Sequence, residues 1–127
     1  MHNILLVVTD GGLSGAPIQC LNIVRSMSSK NCNFTILFGN YGEAAKIANE
    51  IGCNVVIDKN LVSSFSLTHL IKHIIFLFLF IRQNKFDTVH AHSTIPGISV
   101  RLCSIPLKFN CVFTVHGWGW RGFKPLK

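Results

Sequence analysis

Short apolar runs alternate with helical segments along this sequence, and this alternation constrains the fold more than any other feature. The run Ile4–Val8 is wholly aliphatic, which is typical of a central parallel strand that helices cover on both faces. Later runs of strand length follow at intervals that leave room for helices between them. Strands are predicted at Ile4–Val8, Asn33–Phe38, Asn54–Ile57, Asp87–His92 and Cys111–Val115, and helices at Ile18–Met27, Glu43–Ile51, Leu67–Arg82 and Pro96–Ile105.

This order of elements predicts an α/β fold with a single doubly wound parallel sheet of the Rossmann-like type. Consecutive elements usually lie close together and parallel crossovers are right-handed, so we expect about five strands in the order 3-2-1-4-5. Of the 127 residues, 49% are hydrophobic and 13% are charged. This composition is sufficient for one packed core, and we expect one domain over residues 1–127.

The cysteines and the first residues indicate a reducing compartment. The five cysteines are odd in number and show none of the short paired spacings of zinc sites or disulfide frameworks. We expect them to be small buried residues. The apolar run begins at Ile4 and leaves no room for a signal peptide with a basic region and a cleavage site. A cytoplasmic location follows as an expectation.

The charge balance favours an anionic partner. The sequence has 12 Lys and Arg residues against 5 Asp and Glu residues, for a formal net charge of +7. Such an excess attracts nucleic acid, anionic membranes or phosphorylated substrates. Because the basic residues are spread along the chain and form no nucleic-acid-binding motif, we do not expect nucleic acid to be the partner. Anionic lipid is the preferred interpretation.

A glycine turn follows the first predicted strand. Gly11, Gly12 and Gly15 lie where ligands bind in open α/β sheets, at the carboxyl end of a strand and before a helix. Glycines allow close approach of a ligand and the helix dipole favours an anion, so phosphate or a phosphorylated sugar is one interpretation. Tight packing between strand and helix is the other. The spacing fits neither a dinucleotide fingerprint nor a P-loop.

Histidines cluster at the predicted carboxyl edge of the sheet. His90 and His92 are two residues apart on a strand and point to one face. A His-x-His pair can bind metal, but no third ligand stands nearby in sequence, and we favour hydrogen-bonding histidines without metal. His116 follows the fifth predicted strand and would reach the same edge.

Several of these features, taken in order along the chain, resemble the N-terminal domain of family 4 glycosyltransferases. The resemblance covers nearly the whole sequence, and its closest form is that of polysaccharide or lipopolysaccharide sugar transferases. The motifs that carry it are the Gly-Gly turn, Asp87-x-Val89-His90-Ala91-His92-Ser93, Gly97 to Arg101, and Thr114-Val115-His116-Gly117-Trp118-Gly119.

The resemblance implies the acceptor-side half of a two-domain GT-B fold, incomplete at its C-terminal end. Such an enzyme transfers a hexosyl group from a nucleotide-sugar to a lipid-linked or polysaccharide acceptor, with retention of configuration. The nucleotide-sugar is a co-substrate held mainly by a second domain that this chain lacks, and neither a metal nor another cofactor is implied. We therefore expect the chain to be inactive alone and to need a donor-domain chain as partner.

The resemblance also implies roles for individual residues. His116 would line the acceptor pocket next to the transferred sugar, as the catalytic candidate, and His92 is a second candidate for contact in the cleft. The turn at Gly11 and Gly12 would approach the donor diphosphate or the acceptor. Arg101 either faces an acceptor phosphate or is solvated.

An aromatic loop with Trp118 and Trp120 follows the fifth predicted strand. Its indole rings could stack on a sugar or dip into a membrane interface. Packing against elements outside this chain is the alternative interpretation.

The segment Leu67–Arg82 contains eight consecutive apolar residues beginning at Ile74. It falls short of the roughly 20 residues that span a bilayer. One face should pack on the sheet, and the surplus apolar surface with basic flanks predicts contact with the inner face of the cytoplasmic membrane. The predicted contact residues are Phe76, Phe80, Lys72 and Arg82. The competing functional hypothesis is a non-catalytic membrane-docked accessory module, or an inactive glycosyltransferase fragment.

Overall fold

A computed structural model describes residues 2–27, 31–62 and 66–114 of the chain. Five strands and four helices alternate within these residues. The strands are β1 His2–Val8, β2 Cys32–Phe38, β3 Asn54–Ile57, β4 Thr88–His92 and β5 Asn110–Thr114, and the helices are α1 Gly15–Met27, α2 Glu43–Glu50, α3 Leu67–Asn84 and α4 Thr94–Ser104.

The strands form one sheet in the order β3-β2-β1-β4-β5, as the sequence predicts. All four pairings are parallel, and β1 lies at the centre with Val8 opposite both Phe38 and His92. The α/β class and the doubly wound topology are thereby confirmed. Helix α1 begins at Gly15, so Pro17 lies in its first turn, where its missing N–H costs nothing.

Two apolar cores lie on opposite faces of the sheet. Alternate side chains of β1 point to opposite faces, so Leu6 packs with α1 and α2 while Leu5 packs with α3 and α4. Both faces of the strand are buried, which explains why the sequence of β1 is continuously aliphatic. The helices thus form a layer on each side of the sheet.

A buried hydrogen-bond network connects α3, α4 and the residue that follows β3 on one side of the sheet. His73 of α3 lies with Nδ1 2.7 Å from Asp58 Oδ2, just after β3. Its Nε2 lies 2.9 Å from the Ser99 hydroxyl oxygen of α4. All three residues are buried. The sequence offered no sign of this arrangement, because the partners are distant along the chain.

Strand β5 is the more open edge of the described sheet. Four of its five residues are exposed, and Val112 is one of the larger apolar side chains on the surface. Its neighbour Phe113 packs on Gly97 of α4, where a Cβ would collide with the ring. Among the described helices, none is both long and apolar enough to cross a membrane.

Candidate functional site

A cleft opens at the carboxyl ends of β1 and β4, where the strand order changes direction. This is the switch point at which ligands bind in open α/β sheets. The cleft has a volume of about 230 Å³, and the N-termini of α1 and α4 both border it. Its lining residues are Val8, Thr9, Asp10, Ser14, Ala16, Ser93, Thr94 and Ile95.

Asp10 organises the glycine turn at one side of the cleft. Its Oδ1 accepts the Gly12 amide N–H at 2.9 Å, and its Oδ2 accepts the Ser14 hydroxyl at 2.9 Å. The amide that the sequence suggested for an anion is thus already bonded to a carboxylate. The exposed negative charge of Asp10 favours a ligand with hydroxyl or amino donors at this position.

Gly11 packs against the segment that leads from β2 into α2. Its amide donates to Asn40 Oδ1 at 3.0 Å, and its carbonyl accepts the amide of Ala44 at 2.8 Å, at the start of α2. A Cβ at this position would collide with the Asn40 carbonyl oxygen. Of the three predicted glycines, only Gly15 faces open space, at the first residue of α1.

Ser93 borders the cleft from the β4 side in a strained conformation. Its φ of 85° and ψ of 172° lie in a region that is nearly restricted to glycine. It is the N-cap residue of α4, yet its side chain makes no capping hydrogen bond. The first turn of α4 therefore meets the cleft without a side-chain cap. Strain of this kind is concentrated at functional positions.

His90 and His92 point to one face of the sheet, as the sequence predicts. Their rings stack with centroids 4.1 Å apart. His90 Nε2 lies 2.6 Å from Thr114 Oγ1 on β5, and His92 is buried behind the cleft. In the described part of the chain, no group of three or more His, Cys, Asp or Glu side chains is placed to bind a metal ion.

Arg101 does not line the cleft itself, but it lines a neighbouring pocket that shares Thr94 with the cleft. Arg101 lies in the last turn of α4, roughly 10 Å along the helix axis from Thr94. Its guanidinium carbon sits 6.0 Å from the centre of the Phe113 ring, at the packing distance of a cation–π contact. Arg101 is exposed as well as in contact with Phe113, so the solvated alternative and the contact with an acceptor phosphate both stay predictions.

The remaining cleft candidates, His116, Trp118 and Trp120, lie outside the described residues. Their predicted roles in catalysis and in the acceptor loop stay predictions.

The predicted membrane residues lie on α3 with different exposures. Phe76, Lys72 and Arg82 are exposed, whereas Phe80 is half-buried between Phe76 and Phe86. The most exposed part of the helix is instead an outer stripe of aliphatic residues at four-residue spacing, formed by Leu67, Ile71, Ile75 and Leu79.

The sequence interpretation missed five polar residues of the cleft, which are Thr9, Asp10, Ser14, Ser93 and Thr94. Asp10 and Ser14 could have been found, because a carboxylate before Gly-Gly and a hydroxyl four residues later form a common hydrogen-bonded turn. Ser93 belongs to the motif that ends strand β4, but nothing in the sequence indicates its positive φ. Together these residues place four hydroxyl groups and one carboxylate beside the apolar lining of the cleft, and such groups can hydrogen-bond a polyhydroxylated ligand.

Known proteins resemble this chain in sequence and in fold. The profile of Glycosyltransferase Family 4 matches residues 13–127. The O-antigen biosynthesis glycosyltransferase WbnH of Escherichia coli is 23% identical over 118 residues, which cover 93% of this chain and 33% of that protein. The chain therefore spans about a third of the length of this relative.

Two solved structures have the same fold at low sequence identity. A glycosyltransferase from Rickettsia africae gives a TM-score of 0.75 at 17% identity, over 92% of this chain and 30% of that one. MurG of Acinetobacter baumannii gives a TM-score of 0.72 at 11% identity, over 96% of this chain and 38% of the MurG chain. Because the family profile covers most of the sequence, the chain belongs to glycosyltransferase family 4 and has the fold of that family's N-terminal domain.

Proposed function

We propose that this domain supplies the acceptor side of a hexosyl transfer from a nucleotide-sugar to a lipid-linked or polysaccharide acceptor. The cleft at the β1–β4 switch point carries the proposal, because its polar lining can hydrogen-bond a glycan. The name of the Escherichia coli relative, an O-antigen biosynthesis glycosyltransferase, supports a glycan acceptor. The nucleotide-sugar is the co-substrate, and most of its binding site belongs to a donor-binding domain.

The chemistry assigned to the described residues is orientation of the acceptor. Asp10 accepts hydrogen bonds from acceptor hydroxyls, and Ser14 keeps its carboxylate in place through the 2.9 Å contact. The N-termini of α1 and α4 present positive dipole ends to the same cleft, where they stabilise negative charge on the departing diphosphate. His116 remains the proposed residue nearest to the transferred sugar.

The experiment is transfer of radiolabelled sugar after mixing this chain with a chain that carries the donor-binding domain. A panel of nucleotide-sugars is tested against lipid-linked glycan. We expect transfer with one donor, and Asp10→Asn should lower kcat/KM roughly 10- to 100-fold, as for loss of a hydrogen bond to a charged group. Glu50→Gln, an exposed carboxylate on α2, is the matched control and should leave the rate unchanged.

Two results would contradict this proposal. Transfer that is equally fast with Asp10→Asn and with Glu50→Gln would remove the cleft from the acceptor site. No transfer with any donor, while the two chains form a complex, would favour the non-catalytic accessory module.

We also propose that α3 lies on the cytoplasmic face of an anionic membrane, which would bring the cleft near a lipid-linked acceptor. The support is the outer stripe, in which Ile71, Ile75 and Leu79 are 49%, 55% and 45% exposed. An apolar stripe on a helix with basic neighbours is typical of interfacial binding. Helix α3 has 18 residues and carries no carboxylate.

Vesicle flotation tests the membrane contact. Ile75→Ser with Leu79→Ser should abolish flotation with phosphatidylglycerol vesicles, because both changes remove exposed apolar surface without touching the core. Ile18→Ser is the control, since Ile18 is 43% exposed on α1, on the opposite side of the sheet. Equal flotation of the stripe variant and the control would refute the contact. Phe80 is unsuitable for this test because it also packs on the core cluster.

A further inference from the structure

A second cavity lies at the opposite end of the sheet from the cleft. It has a volume of about 320 Å³ and lies between the C-terminal end of α3 and the connection from α4 to β5. We call it the end pocket. Its base is apolar, with Ile81, Phe86 and Leu107, and its rim carries the exposed cations Arg82, Lys85 and Lys108.

The end pocket carries an excess of positive charge, since three cations, Arg82, Lys85 and Lys108, line it with one carboxylate, Asp87. Asp87, which also lines the pocket, is the only carboxylate between residues 59 and 114. Its Oδ2 accepts the Asn3 amide N–H at 2.8 Å and lies 3.9 Å from His2 Nδ1, so it is engaged at the β1 side. None of the three cations forms an ion pair with a described residue.

The helix dipole explains only part of this charge. Arg82 and Lys85 lie at the C-terminus of α3, where cations are favoured in any helix. Lys108 lies in the connection from α4 to β5, so the dipole of α3 does not explain its position at the pocket. In addition, Lys85 holds a left-handed conformation with φ of 53° as the C-cap residue, a position that usually carries glycine. The chain thus keeps a lysine at the pocket where glycine would be less strained.

The end pocket is continuous with the apolar surface of α3. Arg82 follows Leu79 by three residues, so both lie on the outer face of the helix. Three aromatic rings also connect the pocket to the helix. The centre of the Phe86 ring lies 5.6 Å from that of Phe80, and the Phe80 ring stacks on Phe76 with centres 6.0 Å apart. A bilayer that buries the outer stripe would therefore bring its phosphates close to Arg82, at the rim of the end pocket.

We propose that the end pocket binds the phosphate of an anionic phospholipid headgroup. Three cations around one cavity match a phosphodiester, and the apolar base accepts the glycerol end of the lipid. This inference rests on the proposed membrane contact of α3 and adds a defined headgroup site to it. The site is separate from the cleft, since the two lie at opposite ends of the strands.

The test is flotation with phosphatidylcholine vesicles with and without phosphatidylglycerol. The pocket variant is Lys85→Gly with Lys108→Gln, and the control is Lys46→Gln with Lys59→Gln, which lowers the net charge equally at exposed sites outside the pocket. We expect the pocket variant to bind phosphatidylglycerol vesicles roughly 10- to 30-fold more weakly than the unaltered chain, and the control to lose much less. Lys85→Gly relieves the left-handed strain, so a lower melting temperature cannot account for the loss.

The outcomes separate the two proposals. Equal losses in the pocket variant and the control would show diffuse charge attraction and overturn the end pocket, while loss of flotation in the Ile75→Ser and Leu79→Ser variant would still support the membrane contact. Failure of the unaltered chain to float with phosphatidylglycerol would overturn both. A saturable rise in melting temperature with inorganic phosphate that the pocket variant lacks, together with equal flotation of the pocket variant and the control, would assign the pocket to a soluble phosphate and refute the lipid.

Discussion

The backbone conformation of Ser93 fits a role in the cleft better than a role as a helix cap. Ser93 occupies a conformation that disfavours any side chain, at the entrance of α4 and beside the cleft. A serine hydroxyl at an N-cap normally bonds a helix amide, but this one does not. Its side chain is therefore available to a ligand, and the cost of holding it appears as backbone strain.

Replacement of Ser93 by glycine should stabilise the domain. The strain of roughly 1–3 kcal/mol is relieved, whereas the extra freedom of glycine in the unfolded chain costs about 0.5–1 kcal/mol. We expect the free energy of unfolding to rise by about 1 kcal/mol, as measured by urea denaturation. Ser93→Ala keeps the Cβ and should give no gain. A glycine variant less stable than the alanine variant would show that the backbone is not strained there.

The cysteines divide into protected and accessible thiols. Burial raises the pKa of Cys20 to about 12, with a smaller contribution from Cys53. Burial also raises the pKa of Cys53 and of Cys103 to about 11. Cys111 is exposed on β5 and Cys32 is half-buried, which corrects the expectation that all five are buried. Partial burial raises the pKa of the Cys111 thiol as well, and the Arg101 guanidinium acts in the opposite direction.

This division predicts alkylation and its pH dependence. At about pH 8, iodoacetamide should modify Cys111 and leave Cys20, Cys53 and Cys103 intact, because the thiolate is the reactive form. In the unfolded chain these three thiols ionise near their ordinary pKa of 9.0. Stability should therefore be complete below about pH 9 and decline toward about pH 11. Mass spectrometry of labelled peptides and urea midpoints across this range measure both effects. Labelling of Cys20 in the native state would refute them.

At the scale of secondary-structure elements, His73 connects α3 to its neighbours. His73 directly precedes the apolar run of α3 that begins at Ile74. It is fully buried, and both of its ring nitrogens form hydrogen bonds. Replacing His73 with leucine leaves the buried carboxylate of Asp58 without the imidazole. Replacing Ser99 with alanine removes only the hydroxyl partner.

The two substitutions should differ in cost. We expect His73→Leu to lower the free energy of unfolding by about 3–5 kcal/mol, as when one member of a buried pair is lost. Ser99→Ala should lower it by about 1–3 kcal/mol. Both are measured by urea denaturation, with His69→Leu, an exposed histidine one turn earlier, as the control. If His73→Leu and His69→Leu lowered the free energy of unfolding equally, the buried hydrogen-bond network would contribute nothing to stability.

At the scale of the whole molecule, apolar periodicity was enough to predict the fold but not the site contacts. The run Ile4–Val8 revealed a central strand because burial on both faces leaves a direct mark on composition. The Gly11 amide instead bonds Asn40, 29 residues away, and His73 bonds Asp58 and Ser99, 15 and 26 residues away. Such contacts depend on how separate loops and helices meet, which local sequence does not record. The sequence therefore located the glycine turn but could not choose between anion contact and tight packing, and the contacts of Gly11 agree with packing.

The centre and the β5 edge of the sheet should differ in local stability. Strand β1 pairs with β2 and β4, and its residues from Leu5 to Val8 are fully buried. Strand β5 pairs only with β4 among the described strands and is largely exposed. In native-state hydrogen exchange, β1 amides should therefore exchange only through global unfolding, and β5 amides at least roughly 100-fold faster through local opening. Protection of β5 equal to that of β1 would contradict an open edge, and would mean that another strand covers it in solution.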